Sequence, residues 1–100
     1  MIQIYHNPRC GKSRDCLTQI KAFTTEIEIK LYLSNPLSVE ELTTIVSKLN
    51  IKPIDLVRIN EKIWIENYKN KNWNDKDVLE IIFQNPLLMQ RPIVINAIKQ

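Results

Sequence analysis

Residues 6–16, HNPRCGKSRDC, hold most of the groups in this chain that could do chemistry. The nucleophilic form of cysteine is the thiolate, which requires a pKa brought down from about 8.5 toward neutrality. Cys10 has the surroundings for that. Asn7, Pro8 and Gly11 mark a turn, and a helical pattern begins at Lys12. Cys10 therefore stands at a helix N-terminus, beside unpaired peptide N–H groups and the positive end of the helix dipole. Gly11 leaves those N–H groups uncrowded, Lys12 and Arg14 add positive charge, and Ser13 supplies a hydroxyl donor. The same N–H groups can hold a tetrahedral oxyanion, so nucleophile and oxyanion site would share one turn. The alternative is a small buried apolar residue, and the polar or small neighbours Arg9, Gly11 and Lys12 argue against it.

Cys16 lies six residues further on, inside the same helical pattern. Six helical residues rise ~9 Å and turn ~240°, whereas a disulfide wants Cα atoms within ~7 Å. A Cys10–Cys16 bond would need the first helical turn to unwind, and Cys16 otherwise reads as a core residue beside Leu17 and Ile20. Ser13 occupies the position three after Cys10, so there is no local CxxC partner, and reduction must come from outside or from Cys16 through rearrangement. His6, the single histidine, reads equally as a group tuning the thiolate or as a hydrogen-bonded strand-end residue. One histidine and two cysteines at this spacing do not suit zinc, so no metal is expected.

Placing these groups requires a strand before the loop and a helix after it. Residues 2–5 (IQIY) alternate apolar and polar, as a short strand does. Cys16, Leu17, Ile20 and Phe23 recur at helical steps, and Thr24 and Thr25 end the run. Residues 27–33 (IEIKLYL) predict a second strand, which makes a βαβ opening with a right-handed crossover. Ser34, Asn35 and Pro36 break the chain, and Ser38 with Glu41 forms a capping box for a helix through Leu42, Ile45, Val46 and Leu49. Pro53 and Asp55 open a helical turn around Leu56 and Val57. A further helical stretch runs from Glu61 to Tyr68, with Trp64, Ile65 and Tyr68 on its apolar side. After the polar loop KNKNWN, Asn74 caps a helix carrying Val78, Ile81, Ile82 and Phe83, which Asn85 and Pro86 end. Leu87 to Met89 form an apolar link, and Arg91–Pro92 leads into a third strand at 93–95. The fold class is α/β: a thioredoxin-like βαβ start, a helical insertion and a Pro-led third strand.

The bulk composition agrees. One hundred residues suit a single domain, here 1–100, and 44% hydrophobic with 25% charged residues is an ordinary globular balance. The net charge of +3 comes from scattered lysines, with no basic stripe for nucleic acid. No run approaches the ~20 apolar residues of a membrane helix, and Met1 leads straight into strand residues without a charged leader segment. A cytoplasmic protein with reduced thiols is expected, without nucleic-acid or membrane partners. Trp64, Tyr68 and Trp73 read as packing residues.

The segment IYHNPRCGKSR resembles the active-site segment of the ArsC family of glutaredoxin-coupled arsenate reductases: a strand, then HNP, one variable residue, Cys, Gly, and a Ser-Arg pair. The similarity continues through LYLSNPLSVEEL, Leu56-Val57-Arg58 and NPLLMQRPIVI, and spans positions 2–95. It implies a thioredoxin-like fold with a helical insertion, and arsenate reduction with Cys10 as nucleophile. Arsenate would be attacked by Cys10, and glutathione and glutaredoxin would be external reductants, with no bound cofactor. Arg58 and Arg91 match arginines that hold the oxyanion, together with Gly11, Lys12, Ser13 and Arg14. Read alone, Arg58 would be a snorkelling surface residue and Arg91 a loop charge; the resemblance gives both a role suited to the rigid guanidinium fork. Pro92 resembles the cis-proline that precedes the third strand and faces the active cysteine; His6 and Pro92 would support the site.

The sequence departs from the family pattern after Ile95. The resemblance implies a fourth strand, a final helix and a third anion-binding arginine, and none is found in NAIKQ. The third strand would then lie at an exposed edge that invites pairing with a second copy, giving a homodimer. Two other readings stay open: a thiol reductase of the same family acting on another substrate, and an Spx-like transcriptional regulator binding RNA polymerase. Ser13 in place of a second CxxC cysteine and the intact HNPRCG segment count against the last.

Overall fold

A computed structural model describes residues 1–96; of the tail NAIKQ, positions 97–100 lie outside the described residues. The chain divides into two compact units, one formed by residues 1–35 with the segment from Arg91 onward, the other by Pro36–Gln90.

The first unit is built on a three-stranded sheet of order β2-β1-β3. β1 (Ile2–Tyr5) runs into the loop that carries Cys10, α1 (Gly11–Phe23) follows, and β2 (Ile27–Lys30) returns parallel to β1. β3 (Ile93–Asn96) pairs antiparallel with the other side of β1. The register sets Gln3 beside Glu28, and the Gln3 amide donates to that carboxylate at 2.8 Å. Ile4 and Tyr5, on the central strand, are both buried. The βαβ opening and the Pro-led third strand are as expected. Among the described residues there is no fourth strand and no helix after β3.

Two expectations for this unit are corrected. β2 ends at Lys30 rather than at residue 33. Its partner β1 has only four residues to pair, the last ladder bond is His6 N–H to Lys30 C=O at 2.9 Å, and the Ser34 and Asn35 N–H groups then turn back onto Leu31 C=O. The apolar periodicity of α1 also does not mean a deeply buried face. Ser13 is its one buried side chain, Cys16, Leu17 and Ile20 are half-buried, and Phe23 is 90% exposed. The 13-residue helix is about 20 Å long, and four-residue strands reach about 13 Å. The last turn outruns the sheet.

The second unit is helical. α2 (Val39–Leu49) starts with the expected capping box: Glu41 N–H donates to Ser38 Oγ at 3.1 Å and Ser38 N–H to Glu41 Oε1 at 3.2 Å. A 3₁₀ turn at Pro53–Leu56 precedes α3 (Lys62–Asn67), and α4 (Asp75–Gln84) is capped by Asn74, whose Oδ1 accepts from Asp77 N–H at 2.7 Å. α2 packs on α4 through Leu42, Ile45 and Val46 on one side and Val78, Leu79, Ile81 and Ile82 on the other. Trp64, Tyr68 and Trp73 stack in series with ring centroids 5.7 Å apart, and Trp73 Nε1 donates to Tyr68 C=O. Phe83 and Ile65, expected on apolar faces, are 42% and 47% exposed. Phe83 lies about 120° round α4 from the centre of its buried face, and Ile65 about 100° from the buried Trp64.

Candidate active site

The loop between β1 and α1 is held from both sides. Asn7, buried, forms a turn: its Oδ1 accepts from Arg9 N–H at 3.0 Å and its C=O from Cys10 N–H at 3.0 Å. Inside, Ser13 Oγ accepts from Asn7 N–H at 3.1 Å and lies 2.7 Å from His6 Nδ1. Outside, Arg14 Nη1 donates to Pro8 C=O at 2.9 Å. Cys10 is thereby fixed as the N-cap of α1, with extended backbone (φ −95°, ψ 122°), and its C=O accepts the first helical bond from Arg14 N–H at 3.0 Å.

Cys10 is half-buried and a free thiol. Its pKa is pushed below the ordinary thiol range. The Ser13 peptide N–H bond to the sulfur is the largest cause; partial burial opposes it, and a hydrogen bond from Arg91, the Lys12 peptide N–H and the Arg91 charge add to it. These are the interactions expected of a thiolate at a helix N-terminus. Arg91 is joined to Pro92 through a cis peptide bond, as the resemblance implied, immediately before β3.

Several expected roles change once the atoms are in place. Ser13 acts on the sulfur through its peptide N–H, while its hydroxyl is buried at 0% exposure and engaged by His6 and Asn7. Lys12 likewise contributes its peptide N–H, and the guanidinium acting on the thiol is that of Arg91, Arg14 being the clamp on Pro8. His6 is the buried, hydrogen-bonded strand-end residue. Burial first, then the charges of Lys21 and Arg14, lower its pKa below 6.5, so it is neutral at pH 7 and brings no positive charge to the thiolate. A Cβ on Gly11 would meet Arg14 Nη2 at 3.8 Å, an ordinary contact. Packing within the chain therefore does not require glycine there.

Arg58 belongs to the second unit. Its backbone is tied into a short ladder: Arg58 N–H donates to Leu88 C=O at 2.7 Å, Gln90 N–H to Leu56 C=O at 2.8 Å, and Val57 bridges to Met89. Its guanidinium pairs with Glu61. A cavity of about 220 Å³ is lined by Arg58, Ile59, Asn60, Glu61 and Gln90. Sequence reading passed over Asn7 and Glu61. Both carry a signal: Asn-Pro is a turn-forming pair, and Arg-Ile-Asn-Glu is a charge pair at i,i+3.

A profile of the ArsC family matches residues 5–99. The Escherichia coli protein named Arsenate reductase is 36% identical over 102 residues, covering 97% of this chain and 70% of that protein. The Escherichia coli (strain K12) protein named Uncharacterized protein YfgD is 34% identical over 96 residues, 94% of this chain and 81% of its own. Among solved structures, Arsenate reductase from Vibrio cholerae superposes with a TM-score of 0.89 at 30% identity, covering 96% of this chain and 83% of that one. Among the described residues, no helix is long and apolar enough to cross a membrane.

Proposed function

The chain belongs to the ArsC family, and from that membership we propose that it is a thiol oxidoreductase that reduces arsenate, with Cys10 as the nucleophile. The observation that carries this reading is the set of donors on the Cys10 sulfur: two peptide N–H groups of the first turn of α1 and the Arg91 guanidinium. They favour thiolate over thiol, and the same donor types suit a tetrahedral oxyanion.

Cys10 Sγ attacks arsenic, an S–As bond forms, and one arsenate oxygen leaves as water after taking up protons. Arg91 and the Lys12 and Ser13 N–H groups counter the negative charge brought together in this step, and Arg58 serves as a second oxyanion arginine. A glutathione thiolate then attacks Sγ. The S–As bond breaks with its electron pair going to arsenic, which leaves as arsenite, and Cys10 is left in a mixed disulfide with glutathione. A glutaredoxin thiol attacks that disulfide and restores Cys10. Two thiols are oxidised for the two electrons arsenic gains.

The test is arsenite formation from arsenate with glutathione and glutaredoxin supplied, for the wild type beside Cys10→Ser, Arg91→Ala and Cys16→Ser. Turnover abolished in Cys10→Ser, reduced in Arg91→Ala and retained in Cys16→Ser is the expected result. No arsenite from a wild type whose Cys10 still alkylates rapidly at neutral pH would overturn arsenate as the substrate.

A further inference from the structure

We propose that Glu61 is a built-in competitor for the Arg58 guanidinium and sets how tightly Arg58 takes up a tetrahedral oxyanion. The proposal rests on the oxyanion role given to Arg58 above.

Glu61 is the N-cap residue of α3, yet its side chain makes no capping bond to its own helix. An N-cap side chain ordinarily accepts from the N–H groups of the first turn. Here the carboxylate oxygen Oε1 instead accepts from Arg58 Nη1. The backbone enforces the pairing: Glu61 N–H donates to Arg58 C=O at 3.0 Å, closing a turn that brings the two side chains to the same side. Arg58 is itself held in place by its N–H bond to Leu88 C=O. The side chains are 31% and 25% exposed, so the charges attract more strongly than a fully solvated pair would. Both line the cavity of about 220 Å³, with Asn60 and Gln90 as its other polar residues.

An oxyanion entering this cavity meets a guanidinium already bonded to a carboxylate, and a carboxylate that repels it. Uptake at Arg58 therefore means exchanging one anionic partner for another. Removing the Glu61 charge while keeping its shape removes both obstacles.

The experiment is calorimetric titration of the full chain with sodium arsenate, and separately with sulfate as a redox-inert probe, at constant ionic strength. All proteins carry Cys10→Ser so that no covalent step intervenes. Glu61→Gln is expected to lower Kd about fivefold, the effect of releasing one half-exposed ion pair. Glu61→Ala, which also lacks the charge, should show a gain in the same direction. Adding Arg58→Gln to Glu61→Gln should abolish it, and thermal melts should show each variant folded. Unchanged or weaker binding in Glu61→Gln, no saturable binding to either protein, or a gain that survives Arg58→Gln would overturn the proposal. Because the readout is binding and includes sulfate, its failure is distinct from a failure of arsenate turnover.

Discussion

His6 Nδ1 and Ser13 Oγ lie 2.7 Å apart, with His6 6% exposed and Ser13 0%. This contact ties the end of β1 to the first turn of α1, and Cys10 sits between the two. Ser13 Oγ also accepts from Asn7 N–H, which suits a neutral imidazole taking the serine proton at Nδ1. The residue that anchors the loop from within is thus the one whose peptide N–H does most to lower the Cys10 pKa. Ser13→Ala leaves the buried His6 Nδ1 and Asn7 N–H without this partner. It should cost about 1–3 kcal/mol of stability, read as a lower urea midpoint at unchanged m-value. An unchanged midpoint would show that the contact does not hold the loop.

The lowered pKa of His6 gives the fold a pH dependence of definite sign. In the unfolded chain the imidazole takes up a proton near pH 6.5, whereas in the folded chain it does so only at lower pH. Between those two values the unfolded state binds more protons, so stability falls as pH drops. The contribution is fully present above pH 6.5 and is lost as pH falls through the folded value. Urea midpoints for wild type and His6→Gln between pH 7.5 and pH 5, settings of about one unit on either side of the histidine range, should converge on acidification. Parallel curves would contradict the assignment.

Cys10 reactivity should rise with pH to a plateau reached below the ordinary thiol range, because the thiolate is the reacting form. In Arg91→Gln the midpoint of the alkylation profile should move upward, since the charge and its hydrogen bond to the sulfur are weakened or lost. A profile unmoved by Arg91→Gln would mean that the helix N-terminus acts alone.

Gly11 tests whether its missing side chain serves the fold or the substrate. The added Cβ of Gly11→Ala meets only ordinary contact with Arg14 Nη2, and alanine is the better helix former by about 1 kcal/mol in a helix interior. At the first helical position the fold should be unchanged or stabilised by up to about 1 kcal/mol, measured by thermal or urea melts. Arsenate turnover should fall severalfold, because the methyl group crowds the N–H groups an oxyanion would use. Lower stability with turnover intact would reverse this assignment.

Much of the fold was readable from local pattern. The capping boxes at Ser38 and Asn74, the helix start after Cys10, and the strands at 2–5 and 93–95 all depend on interactions within a few residues. The errors fall where a partner decides the outcome. Residues 31–33 alternate like a strand but have no β1 residue left to pair with. Phe23 keeps the helical period but lies 90% exposed at the end of α1.

The sequence by itself determined that Cys10 would stand at a helix N-terminus, because the turn residues before it and the helical period after it act over short range. Only the tertiary structure decided how each neighbour of Cys10 works. Ser13 and Lys12 offer peptide N–H groups, the Ser13 hydroxyl is spent inward on His6 and Asn7, and Arg91, brought back from the far end of the chain by the pairing of β3 with β1, supplies the charge. Residue types announce which atoms a side chain carries. Which of them reach the sulfur depends on backbone direction and on contacts between residues distant in sequence.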